Sequence, residues 1–190
     1  MDAQKDPKSI LDSRTDLQLV AAINGGDGHA FEALYLRYRD WVTSLAFRFT
    51  GSEDLSLDVL QETFIYLLRK FPGFALTAQM KTFLYPVVKN LSIAARRKAE
   101  RHQSTKGELA ILENQPAEPA AVIALGELMT VLAGLSKEQR EVLLLRFADG
   151  LSLAEIAEAM KIPLGTVKSR LHNALTSLRN DPRTRNFFDG

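Results

Sequence analysis

The chain has 190 residues, 46% hydrophobic and 25% charged, which suits one or two globular domains and excludes a wholly disordered chain or an integral membrane protein. It holds no cysteine, so disulfide scaffolds, thiolate zinc sites and cysteine nucleophiles are excluded together. The net charge is only +1, but the charges are segregated. Lys81, Lys89, Arg96, Arg97, Lys98, Arg101 and Lys106 share a stretch with one acid, Glu100, and Lys161, Lys168, Arg170 and Arg179 share another with none. Glu53, Asp54, Asp58 and Glu62 fall in a stretch without Lys or Arg. Two local positive fields attract phosphate, and three segregated runs point to more than one macromolecular partner.

The N-terminal stretch carries Asp2, Lys5, Asp6, Lys8, Asp12, Arg14 and Asp16 and no apolar run of signal-peptide length. No window approaches the roughly 18 apolar residues of a membrane span. A soluble, cytoplasmic protein without membrane insertion is expected. Residues 1–14 lack periodicity and read as a disordered tail. Thr15-Asp16-Leu17-Gln18 forms a capping box, opening a short helix that the Asn24–Gly28 cluster stops. Phe31, Leu34, Tyr35, Tyr38, Trp41, Val42, Leu45 and Phe49 then recur at three- and four-residue spacing, which predicts a second helix with one buried stripe.

A third helix is predicted to run to Phe71, with Val59, Leu60, Phe64, Leu67 and Leu68 inward and Pro72-Gly73 breaking it. A fourth carries Phe83, Leu84, Val87, Val88, Leu91 and Ala95 inward. Residues 103–120 lose the apolar pattern and gain Pro116 and Pro119, the composition of a flexible linker. Two further capping boxes, Ser136–Gln139 and Ser152–Glu155, open helices in a second region, 121–180, and residues 181–190 read as a tail. No strand alternation occurs, so the expected fold is all-α: two small helical domains, 15–102 and 121–180, joined by the linker.

Residues 152–179 have helix-turn-helix spacing, with Lys161-Ile162-Pro163 as the turn. At 100° per residue, Val167, Leu171, Ala174, Leu175 and Leu178 fall on one side of the second helix and form its core face. Thr166, Ser169, His172, Asn173 and Thr176 fall opposite, with Lys168 and Arg170 on the flanks. Base edges need short donors and acceptors that approach closely, whereas phosphates need cations with reach. Ser169 and Asn173 are therefore the expected base readers, Thr166 and His172 the next, and Lys168 and Arg170 the residues that position the helix.

On the third helix Asp54, Asp58 and Glu62 stand at i, i+4 and i+8 with Gln61 beside them. Like charges at that spacing destabilise an isolated helix by a few tenths of a kcal/mol per pair. The helix dipole relieves Glu53 and Asp54 but reaches neither Asp58 nor Glu62. The stripe is either a solvated face or a surface for a basic protein partner. Catalysis is not expected, because no glycine-rich phosphate loop is present and His29, His102 and His172 have no HExxH-like spacing. Neither a metal nor a cofactor is called for. Trp41 and the aromatics of the second helix read as core. Phe83 and Tyr85, at the front of the basic fourth helix, are placed to wedge against an unstacked base.

Four segments in order carry a family resemblance: GDGHAFEALYLRY from Gly26, DVLQETF from Asp58, FLYPVVKNL from Phe83, and LSKEQREVLLLRFADGLSLAEIAEAMKIPLGTVKSRL from Leu135. Over residues 15–180 the chain resembles bacterial sigma factors of the sigma-70 superfamily, extracytoplasmic-function (ECF) group. The resemblance implies a region 2 domain and a region 4 domain, matching the break at 103–120. It implies that Asp58, Gln61 and Glu62 dock on the β′ clamp helices of RNA polymerase core. It implies that Phe83, Tyr85, Lys89, Asn90, Arg96 and Arg97 contact the minus-10 element of promoter DNA, with the 72–82 loop cradling a flipped base. The helix-turn-helix is then expected to read the minus-35 element and dock on the β flap, and an anti-sigma factor is a further expected partner.

Two departures stand out. Phe83 replaces the Trp common in the family, and Pro86 falls where an ordinary helix former is usual. Either that helix begins near Phe83, so that Pro86 lies in its first turn, or it is bent. The competing expectation is a stand-alone dimeric helix-turn-helix regulator whose residues 15–100 serve dimerisation or ligand binding.

Overall fold

Side-chain caps decide where most of the helices begin. The structure, a computed structural model, describes residues 12–105 and 131–184, and among these residues it is all-α with no strand. Thr15 and Gln18 cap each other's backbone at the start of α1 (Asp16–Asn24). The Asp27 carboxylate accepts from the N–H groups of His29 and Ala30 to open α2 (Gly28–Thr50), which ends at Gly51 in the left-handed region, φ 68°. Ser52 caps α3 (Glu53–Leu68), and α4 spans Met80–Thr105. Full capping boxes at Ser136 and Ser152 open α5 (Lys137–Phe147) and α6 (Leu153–Met160), whereas α7 (Leu164–Asn180) follows Pro163 without a side-chain cap. Each such cap stabilises its helix by about 1 kcal/mol.

The chain divides into two compact units, Met1–Gly107 and Glu108–Gly190. In the first, α2 packs against α1, α3 and α4, and α3 against α4. Leu19 and Val20, then Leu34, Val42 and Leu45, then Val59, Phe64 and Leu67, then Met80, Leu84 and Val88 fill its core, one group from each helix. In the second unit Val131, Leu132, Leu135 and Leu143 pack with Ala174 and Leu178, and Leu171 and Leu175 close the edge. The α7 face predicted to be core is the face that packs there. Residues 103–105 continue α4 rather than beginning a linker; the expected linker from 106 to 120 lies outside the described residues.

Four boundary expectations need correction. Residue Leu68 is the last of α3 and is 51% exposed, so the helix stops before Phe71 and Leu68 is not core. Helix α4 starts at Met80, which makes Pro86 its seventh residue rather than a first-turn one. The missing N–H leaves the Thr82 carbonyl without its i+4 donor, inside the helix. Residues 12–14 do not form a tail. Arg14 pairs with Asp12 at 2.6 Å and with Asp27 at 2.9 Å. From α2, Arg37 donates to the carbonyls of Asp12 and Arg14 and pairs with Asp16 at 2.6 Å, while the Tyr38 hydroxyl donates to the other Asp16 oxygen. At the other end, 181–184 close α7: Thr184 is buried, donates to the Leu178 carbonyl, and follows an Asp181–Arg183 pair at 2.7 Å. The expected tails at 1–11 and 185–190 lie outside the described residues.

Candidate nucleic-acid interface

The helix-turn-helix turn is made by Lys161, which takes the left-handed conformation at φ 55° and donates its N–H to the Ala157 and Glu158 carbonyls. A non-glycine residue there carries a strain of roughly 1–2 kcal/mol, held by the packing of α6 and α7 on either side. Burying Val167, Ala174 and Leu178 fixes the rotation of α7. Lys168, Ser169, His172 and Asn173 are left exposed, with Thr166 and Arg170 half-buried beside them. The Ser169 hydroxyl donates to the Thr166 carbonyl at 3.0 Å, which holds it close to the helix and leaves its lone pairs outward. The six expected readers and positioners therefore share one accessible side of α7.

On α4 the expected set separates. Phe83 is half-buried, tilted against Phe74 with ring centroids 4.8 Å apart and stacked on Tyr66 at 6.5 Å. Tyr85 is 1% exposed and faces Phe49, so it belongs to the core and cannot meet a base, which corrects the sequence reading. Lys89 is half-buried too: its ammonium lies 3.4 Å from the Tyr85 hydroxyl and over the Phe49 ring at 5.7 Å. Asn90, Arg96 and Arg97 are exposed, and Arg96 pairs with Glu100 at 3.2 Å, one turn on. Leu91 and Ala95 are only half-buried, while Ser92, outside the predicted stripe, is fully buried.

The acidic stripe is accessible as well. Asp58, Gln61 and Glu62 are exposed on α3, interleaved with the exposed apolar residues Leu57, Ile65 and Tyr66. Asp58 and Glu62 line a groove of about 300 Å³ between α3 and α4, with Leu55, Val59, Ala94, Ala95, Lys98 and Ala99 as its other walls. A charged rim over apolar ground has the make-up of a protein-docking surface.

One residue with no periodic signal also enters this region. Asn24 ends α1, and its side-chain oxygen accepts from the N–H groups of Gly73 at 2.7 Å and Phe74 at 3.2 Å. Its amide nitrogen donates to the Phe74 carbonyl at 2.9 Å. The segment that leads into Phe83 is therefore tied to α1 across about fifty positions of sequence. The dipeptide Asn24-Gly25 reads only as a helix stop, so nothing local reveals the tie.

Family models match both units: "Sigma-70 region 2" over residues 34–102 and "Sigma-70, region 4" over residues 125–178. The ECF RNA polymerase sigma-E factor of Escherichia coli K12 is 32% identical over 179 residues, covering 87% of this chain and 93% of that protein. The chain belongs to the ECF group of the sigma-70 family. The ECF sigma factor SigW of Bacillus subtilis is 29% identical over 177 residues, 86% of this sigma factor and 95% of its relative. Among solved structures, the sigma factor RpoE of Bartonella quintana, in complex with the anti-sigma factor NepR, matches with a TM-score of 0.60 at 24% identity, covering 78% of this chain and 94% of that one. CnrH, in complex with the cytosolic domain of CnrY, matches at 0.63 and 21%, covering 92% and 97%. These two likenesses establish the fold. This sigma factor acts in promoter recognition. The alternative of a stand-alone dimeric regulator is not favoured, because the unit it reserved for dimerisation is the one matched as region 2. No described helix is long and apolar enough to cross a membrane.

Proposed function

We propose that this sigma factor joins RNA polymerase core to promoter DNA through three surfaces, catalysing nothing itself. The α3 face of Asp58, Gln61 and Glu62 docks on the β′ clamp helices. Phe83, Asn90, Arg96 and Arg97, with Lys89 behind them, take the minus-10 element, and the α7 face of Thr166, Lys168, Ser169, Arg170, His172 and Asn173 reads the minus-35 element. The second unit also meets the β flap. Domain roles follow: 15–102 for core and minus-10, 121–180 for minus-35, with the chain between as connector. The polymerase core supplies the catalysis and the metal, the setting is the cytoplasm, and an anti-sigma factor is the expected restraint.

The observation that carries this reading is the division of each helix surface. On α3 and α7, hydrophobic residues fix the rotation and leave the chemically suited residues outward. Small polar groups between cations fit a major groove, where bases are read by short side chains and phosphates held by long ones. On α4, the Phe83 ring offers a stacking surface beside cations. Stacking on an aromatic contributes about 1–3 kcal/mol per base, comparable to the few kcal/mol that flipping a base requires. Small separate basic patches make weak DNA binders when free, so the polymerase supplies the remaining affinity.

The test mixes the purified protein with bacterial core RNA polymerase, follows co-elution, and then selects initiating templates from a promoter library. Co-elution with sequence-selective initiation is expected. Tight operator binding by the protein alone, with no polymerase complex, would overturn the proposal.

A further inference from the structure

We infer that Asn24 is a positioning residue for minus-10 recognition: its carboxamide sets the backbone at Gly73–Phe74, and Phe74 in turn sets the ring of Phe83. The inference rests on the minus-10 role proposed above for Phe83. Asn24 makes three hydrogen bonds to this one short segment, using its oxygen twice and its nitrogen once. A side-chain amide that accepts from successive N–H groups and donates to the adjoining carbonyl specifies orientation as well as distance. Gly73 has φ +97° and Phe74 follows immediately, so the tie sits at a bend in the chain. From there the geometry passes through rings. Phe74 packs edge-on to Phe71 with centroids 5.4 Å apart and against Phe83 at 4.8 Å, and Phe83 stacks on Tyr66 at an interplanar angle of 27°.

Asn24 itself touches no nucleic acid in this arrangement; it acts through Phe74. Between Gly73 and Met80 the chain forms no helix, and Phe74 is the residue of that stretch whose ring reaches Phe83. Loss of the tie frees the Phe74 backbone, and the wall that fixes the orientation of the Phe83 ring moves with it. Discrimination among minus-10 sequences then falls, because stacking by itself tolerates any base and selects one only when the ring holds it in a fixed geometry for its edge to be read.

The experiment uses the full chain reconstituted with core RNA polymerase and measures initiation from promoters carrying single substitutions at minus-10 or at minus-35. Asn24→Ala is expected to lower the cognate-to-variant ratio at minus-10 about fivefold, the ratio one net hydrogen bond represents, while the minus-35 ratios and core affinity stay unchanged. Asn24→Asp is nearly isosteric and keeps the oxygen that meets the two N–H groups, but it sets an oxygen against the Phe74 carbonyl. It is expected to show the same selective loss, and it serves if the alanine variant fails to fold. In Phe74→Ala, adding Asn24→Ala is expected to change the minus-10 ratios no further, because the relay is already broken.

A folded Asn24→Asp or Asn24→Ala protein with unchanged minus-10 ratios would overturn the inference, as would equal losses at both elements, the signature of a merely structural residue. Full additivity with Phe74→Ala would overturn the relay. If the unaltered protein initiates without any minus-10 preference, the functional reading itself falls and the inference with it. That outcome is recognised in the parent protein before any variant is compared.

Discussion

Asn173→Ala and Lys168→Ala, two truncations on one helix face, separate reading from positioning on α7. Both residues are exposed, and the core beneath them comes from Val167, Ala174 and Leu178, so neither change opens a cavity. Stability should move by less than about 0.5 kcal/mol in either variant. Asn173 stands one turn from Ser169, a rise of about 6 Å, so the two side chains reach bases no more than about two pairs apart. Losing a bidentate contact from Asn173 removes about 1–3 kcal/mol of discrimination, roughly 5- to 150-fold, at one position of the upstream element and nowhere else. Losing Lys168 removes one phosphate contact: binding weakens similarly on all sequences, and the slope of log affinity against log salt flattens by about 1. Competition binding by the polymerase-bound protein on fragments scanned through the upstream element, at several salt concentrations, reads both signatures. Equal, sequence-blind losses for the two variants would refute the assignment of the face.

The acidic face of α3 makes a second prediction: Asp58→Arg combined with Glu62→Arg should weaken affinity for polymerase core at least about tenfold, since like charges set across an interface are strongly unfavourable, while thermal stability is retained. Unchanged affinity in a titration with core polymerase would sink the docking assignment. At the N-terminus, Arg14 holds the Asp12 carboxyl at about 2 instead of its ordinary 3.8, chiefly through side-chain and then backbone hydrogen bonding. A depressed carboxylate contributes stability that is complete above the ordinary value and is lost as pH falls through about 2. A carboxyl-carbon NMR titration should therefore give a midpoint near that value for Asp12, and Arg14→Ala should return it toward 3.8. Tyr38→Phe removes the donor to Asp16, and chemical denaturation should record a loss of about 1–3 kcal/mol, hydrogen bonds to charged groups being the stronger kind. Burial, and then the Asp16 bond, push the Tyr38 phenol above its ordinary 10.0, so its stabilisation is present below that pH and is lost as pH rises through the raised value. Its phenolate absorbance should appear together with alkaline unfolding.

The second unit was legible because full capping boxes open two of its helices and the last is apolar on one side. Once Val167, Ala174 and Leu178 point inward, Ser169 and Asn173 point outward by rotation alone. The acids of α3 were legible for the same reason, since Val59, Phe64 and Leu67 leave Asp58 and Glu62 a single direction. The segment from Asp12 to Arg14 was not, because what holds it is Arg37, from the middle of α2, bonding to backbone carbonyls that look alike in every sequence. Thr184 escaped likewise, its hydroxyl meeting a carbonyl of the helix just ended.

Helix α4 shows where periodicity stops deciding. Phe83, Leu84, Tyr85, Val87, Val88 and Leu91 cover far more than one stripe, so the rotation of the helix can be set to bury either Phe83 or Tyr85 and still look amphipathic. The choice is made by packing, since α4 lies against both α2 and α3 and needs two buried faces. Tyr85 turns toward Phe49 of α2, and Ser92 is buried despite its hydroxyl, because the i, i+4, i+8 row of Leu84 and Val88 carries it inward. Phe83 is left at the edge, where Phe74 and Tyr66 hold it without covering it. A ring that is half-buried and clamped is better suited to meet a base than one free to rotate, because less side-chain entropy is lost on contact. The rotation that removes Tyr85 from the surface therefore leaves Phe83 as the aromatic to which the proposed minus-10 role falls, and the tether at Asn24 as the feature proposed to aim that ring.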